Sequence, residues 1–180
     1  MSDRNEQRRT PTGKGSTFTV ALIGYMGSGK STVGRLLARD LDLDFLDLDE
    51  EVERAAGMPI PEIFAAKGEA GFRNLEHECL KRAVARKNTV VACGGGIVTR
   101  PENLELLSGV ATILIEDDLE ALYERTRSVS RPLRGGGFEE FRTRYKEREE
   151  LYRRAADFSV RTKSRGQAAV AREISDRLYP

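Results

Sequence analysis

The 180-residue sequence has no tryptophan, one histidine and two cysteines. So few soft ligands argue against a zinc or iron–sulfur centre, because His77, Cys79 and Cys93 form no Cys-x-x-Cys or comparable set. A metal held here has to be a hard cation on oxygen ligands. There is no secretory signal and no apolar run long enough to span a bilayer, so a reduced, cytoplasmic protein is expected. Neither charge dominates: 30 basic residues face 29 acidic ones, for a net charge of +1. That balance argues against a nucleic-acid or membrane partner recognised through bulk charge. The apolar fraction of 39% and charged fraction of 33% suit one soluble domain with a real core.

Residues 1–16 (MSDRNEQRRTPTGKGS) lack apolar periodicity and read as a disordered leader, which leaves a single domain over 17–180. From Phe18, FTVALIG is a short β-branched run ending in glycine, the pattern of a buried parallel strand. A helix follows with Val33, Leu36, Leu37 and Leu41 on one face. Further strands are expected at 44–47, in NTVVACGGG, in ATILIE and in DFSVRT. Helices are expected over 50–56, from Pro59 or Pro61 through Ala66, from Glu69 to about Arg86, around Leu119 to Tyr123, after Gly137, and around Ala171, Ile174 and Leu178. Strands alternating with helices imply an α/β chain with a parallel sheet covered on both faces, whose ligands bind beyond the carboxyl ends of the strands.

Gly24-Tyr25-Met26-Gly27-Ser28-Gly29-Lys30-Ser31 satisfies G-x-x-x-x-G-K-[ST] between a buried strand and an amphipathic helix. The glycines let backbone N–H groups turn toward phosphate oxygens, and the helix dipole points at the same place. Lys30 suits the β- and γ-phosphates, and the Ser31 hydroxyl suits Mg²⁺. The motif holds a nucleotide but is silent on its use. No Asn-Lys-x-Asp segment reads guanine, and Leu107-Ser108-Gly109 is only a fragment of an ABC-type signature. Compact small-molecule kinases remain.

Asp47 and Asp49 flank the end of the second strand, where one carboxylate can serve Mg²⁺ and another the attacking hydroxyl. By itself the pair is equally a helix start enriched in acids. GMPIPEIFAAKGEAGFRNLE, VVACGGG, SRPL and REELYRRAAD, in that order and near that spacing, resemble the corresponding segments of shikimate kinases over about residues 18–178. The resemblance implies a three-layer P-loop kinase fold of the nucleoside-monophosphate-kinase type. It has a five-stranded parallel sheet and a mobile lid, here at about 128–138. It implies phosphorylation of the 3-hydroxyl of shikimate by ATP, with Mg²⁺ as cofactor, by a monomer.

On that resemblance Gly27, Ser28, Gly29, Lys30, Ser31 and Thr32 bind ATP, Ser31 and Asp47 hold Mg²⁺, and Asp49 is the base. Arg73 and Arg148 grip the substrate carboxylate, while the amides of Gly94, Gly95 and Gly96 approach the ring, Gly95 nearest. Arg131 is the lid arginine reaching the phosphates, and Arg125 and Arg165 flank adenine. Arg134 stands where the family usually has leucine, and the stretch from Arg125 to Arg131 is one residue short.

Two of these readings have independent support. Arg148 falls on the stripe Phe138, Phe141, Tyr145, Tyr152, Ala155, where it either snorkels to water, pairs with a structural carboxylate or grips a bound one. Three successive glycines exceed what a strand-to-helix turn requires, which favours close approach by a ligand. His77 is expected exposed and idle, and Cys93 a small core residue. A gluconate-type sugar-acid kinase and a non-catalytic nucleotide-binding module stay open as rivals.

Overall fold

The computed structural model describes residues 18–126, 137–163 and 165–179. The expected leader, Arg131 and all of the expected lid except 137–138 lie outside these residues. β1 (Thr19–Ile23) and β3 (Thr89–Ala92) are buried at every position, and β4 (Ala111–Glu116) at all but its last. Their apolar runs show no alternation because both faces are covered. β2 (Asp44–Asp47) and β5 (Phe158–Arg161) mix buried and exposed positions, as edge strands do. The order is β2-β3-β1-β4-β5, with every pair parallel.

Successive residues of β1 point to opposite layers. Val20 and Leu22 meet Val33 and Leu37 of α1 (Lys30–Leu41) and Ile174 and Leu178 of α7 (Gln167–Leu178). Ala21 and Ile23 face the other layer, built by α2 (Leu48–Ala56), α3 (Ile60–Val84), α5 (Leu119–Thr126) and α6 (Phe138–Ala155). Val52, Phe72, Leu80, Phe141 and Tyr152 pack there. Each fully buried leucine or isoleucine contributes about 2 kcal/mol of burial. Among the described residues no helix is long and apolar enough to cross a membrane.

Two local features depart from the sequence expectation. The helices expected on either side of residues 67–68 join end to end in α3, with Gly68 at φ 66° marking the kink. A further helix, α4 (Pro101–Ser108), occupies a stretch given no element, too short for periodicity to show and signalled only by Pro101 in its first turn. It also changes the setting of His77, which is half-buried rather than exposed. The His77 Nδ1 lies 2.7 Å from Oδ1 of the buried Asn103, whose amide donates to Ile97 O (2.9 Å).

The sheet register places the site. Leu22 pairs with Ala92, and Ala92 with Asp47, so β1, β3 and β2 end level with one another. The three loops that follow them emerge side by side.

Candidate active site

After β1 the chain turns through residues 24–29 into α1. Gly27 and Gly29 take φ of 82° and 88°, a region that side chains disfavour. A Cβ on Gly27 would in addition stand 2.9 Å from Leu122 O. α1 begins without a side-chain cap, so its first amides and its dipole are directed at the loop. Lys30 Nζ is buried within the loop and donates to Gly24 O and Tyr25 O, both at 2.9 Å, and to Ser28 Oγ at 3.3 Å. Thr32 is exposed on the first turn of α1.

The Ser31 hydroxyl donates to Asp47 Oδ2 at 2.5 Å, while Asp47 Oδ1 caps α2 by accepting from Asp49 N–H at 3.1 Å. A hydroxyl and a carboxylate in contact at the mouth of a phosphate loop are two hard oxygen donors. They fit Mg²⁺ with phosphate oxygens and water completing the shell. Among the described residues no cluster of three or more acidic, histidine or cysteine side chains offers a metal cage.

A cavity of about 330 Å³ adjoins this mouth and is lined by Ser31, Asp47, Asp49, Arg73, Gly94, Gly95, Gly96 and Arg148. The residues come from five segments: the start of α1, the β2–α2 junction, α3, the turn after β3, and α6. Arg73, on α3, donates through Nη1 to Glu76 Oε2 (2.6 Å) and through Nη2 to Glu69 Oε1 (3.4 Å). Arg148, on α6, is 8% exposed. Its Nη1 donates to Gly95 O at 3.1 Å, and its guanidinium carbon lies 5.9 Å from the centre of the Tyr25 ring. The hydroxyl of Tyr152, one turn further along α6, donates to the same carbonyl. The inward stripe thus delivers Arg148 to the cavity, in contact with a carbonyl and a ring face.

Glu76, the last residue of the segment GMPIPEIFAAKGEAGFRNLE, belongs to this cluster, although no role was expected of it. It is 1% exposed, and its Oε1 is buried without a hydrogen-bond partner among the described residues. Burial pushes its pKa above the ordinary carboxylate value, and the Arg73 guanidinium offsets this in part. A signal was available: Glu76 lies on the apolar stripe Phe72, Cys79, Ala83, as Arg148 does on its own.

The structure gives the triple glycine a reason other than the expected approach of a ligand. A Cβ on Gly94 would stand 2.7 Å from Glu76 Oε1 and 2.8 Å from Asp49 Oδ1, and one on Gly96 would collide with the Arg73 guanidinium. The glycines make room for the side chains of the site itself.

On the nucleotide side, Arg125 donates to Gly27 O at 2.9 Å and pairs with Asp117. Arg165 is exposed and pairs with Glu173 of α7 at 2.5 Å. Gln167, singled out by no pattern, reaches the loop instead: its Nε2 lies 3.5 Å from where a Cβ on Gly29 would be. Of the expected site residues, the structure gathers 27–31, Asp47, Asp49, Arg73, the three glycines, Arg125 and Arg148 at one end of the sheet.

The sequence and the fold resemble those of known proteins. The family model described as shikimate kinase matches residues 26–179. A shikimate kinase from Mycobacterium avium (strain 104) is 43% identical over 162 residues, covering 88% of this chain and 92% of that protein. The bifunctional shikimate kinase/3-dehydroquinate synthase of Thermotoga maritima is 45% identical over 133 residues, and the chain spans 27% of its length. Among solved structures, shikimate kinase from Acinetobacter baumannii in complex with shikimate superposes with a TM-score of 0.87 at 36% identity, covering 91% of this chain and 93% of that one. With the family's pattern running from the phosphate loop to the last helix, and relatives matched over nearly their whole length, the chain belongs to the shikimate kinase family.

Proposed function

We propose that this chain transfers the γ-phosphoryl group of ATP to the 3-hydroxyl of shikimate, releasing shikimate 3-phosphate and ADP. The observation that carries the reading is Arg148, a guanidinium almost removed from water that meets the Gly95 carbonyl, the Tyr25 ring face and the Tyr152 hydroxyl. A buried cation of that kind is stabilised by a counter-anion, and a carboxylate held by Arg148 and Arg73 supplies one. The same cavity includes Asp49 and Ser31, so a ring so gripped lies between an acceptor of protons and the phosphate loop.

In this mechanism Asp49 accepts the proton of the attacking hydroxyl and becomes a neutral acid. The hydroxyl oxygen bonds to the γ-phosphorus as the bond to the β,γ-bridging oxygen breaks, and ADP departs with that electron pair. Gly27, Ser28, Gly29, Lys30, Ser31 and Thr32 hold the phosphates, with Lys30 supplying positive charge. Bound at Ser31 and Asp47, Mg²⁺ would neutralise charge on the β- and γ-oxygens. Gly94, Gly95 and Gly96 form the floor under the ring, and Arg131 stabilises the transferring group from the lid. Arg125 and Arg165 are assigned to the adenine side. The chain acts as a monomer in the cytoplasm, a compartment suited to its two free, buried thiols.

Coupled ADP-release assays with shikimate, quinate and gluconate test this. Shikimate is expected to drive turnover, and Arg73→Ala and Arg148→Ala to raise its KM. Turnover with gluconate alone would replace the substrate assignment by the sugar-acid rival. Tight ATP binding with no turnover on any acid would favour the non-catalytic module.

A further inference from the structure

The structure assigns to Asp117 the task of a positioning residue for the phosphate cradle: through Arg125 it holds the Gly27 carbonyl outward and so aims the Ser28 amide into the loop. Asp117 follows β4 directly, and its side chain is 2% exposed. Its carboxylate is held from several sides. Asp118 N–H donates to Oδ1 at 2.8 Å, Arg125 pairs with Oδ2, and the Thr162 hydroxyl, which also donates to Glu116 O at 3.2 Å, lies within reach. Arg125 then spends its other terminal nitrogen on Gly27 O at 2.9 Å.

The effect on the loop follows from peptide geometry. In a trans peptide the C=O and the next N–H point opposite ways, so a carbonyl pulled toward α5 turns the following amide away from it. Ser28 N–H does face inward, donating to Tyr25 O over a long 3.3 Å bond that a phosphate oxygen can replace. The last turn of α5 fits Gly27 closely as well: a Cβ there would meet Leu122 O at 2.9 Å and Thr126 Cγ2 at 3.0 Å. A charged hydrogen bond between fixed partners holds such an amide in place before the ligand arrives.

This inference rests on the proposed function only in taking the loop as a nucleotide site. The full chain is titrated calorimetrically with ADP and with inorganic tripolyphosphate in Mg²⁺ buffer, comparing wild type, Asp117→Asn, Arg125→Ala and the double variant. Asp117→Asn, isosteric but uncharged, is expected to weaken both ligands roughly tenfold. Added to Arg125→Ala it should weaken neither further, since Asp117 acts through Arg125. A loss confined to ADP would leave Arg125 with its adenine role alone and overturn the cradle role, as would full additivity or no loss at all. Thr162→Val disturbs the same carboxylate without touching Arg125 or Gly27 and should keep both affinities; an equal loss there would make Asp117 merely structural. Neither ligand requires shikimate, so a failure of shikimate turnover alone leaves the clamp standing, and the reverse holds too.

Discussion

The phosphate loop and the acid–arginine cavity share a wall at Met26 and Ser31, yet one is backbone from eight consecutive residues and the other is mostly side chains, from five separate segments. In the loop, direction is set by local φ and by carbonyls that hold Lys30. In the cavity, Arg73 and Glu76 pair with each other, Arg148 is held by the Gly95 carbonyl, and the glycines leave room for Asp49, Glu76 and Arg73. Damage to one cavity side chain should therefore spread within the cavity and stop at the loop.

The largest effect should come from Asp49→Asn, which removes the proton acceptor. Its kcat is expected to fall roughly a thousandfold in ADP-release assays, with ATP affinity retained. Next, Arg148→Ala should raise the KM for shikimate about a hundredfold, because the bound carboxylate loses a desolvated partner. A matching rise in the KM for ATP would break the separation between the two halves.

Gly94→Ala presses a methyl group on Asp49 and Glu76 together. It should lower kcat/KM for shikimate roughly tenfold, while calorimetry with ADP shows wild-type affinity. Glu76→Gln tests the mutual support inside the cavity. Burial raises the Glu76 pKa, so the folded state holds that proton more tightly than the unfolded chain. Wild-type stability should then decline as pH climbs from the ordinary carboxylate value through the raised one. The Gln variant should lose that slope in Tm measured from pH 4 to 8, while its KM for shikimate rises severalfold as Arg73 loses its closest anion. The smallest effect concerns Cys93, whose thiol pKa is pushed up first by burial and next by Glu76. It should stay silent to thiol reagents at pH 8 in the native chain and react on unfolding.

What was legible follows the same division. The phosphate loop reads from its own residues because its chemistry is local: a strand, a glycine turn and a helix start within one short segment. Arg148 was legible because a charge on an apolar stripe demands a partner. Glu76 satisfies the same rule on the stripe of Phe72 and Cys79, but its partner is Arg73, three residues back on the same helix, and such pairs are common on solvated surfaces. α4 escaped because eight residues hold too little periodicity. His77 escaped with it, because its neighbour Asn103 arrives from that helix.

By itself the sequence determined the parallel sheet, the nucleotide loop and an arginine set on an apolar stripe, each a consequence of spacing along one segment. Only the tertiary structure decided that Glu76 closes the cavity, that the glycines at 94 and 96 make way for carboxylates and a guanidinium, and that Arg125 is tied to Gly27 by Asp117. Those contacts join residues from separate elements. Their distances depend on the register of β1, β2 and β3 and on how α3, α5 and α6 pack over the strand ends, and no single segment encodes that.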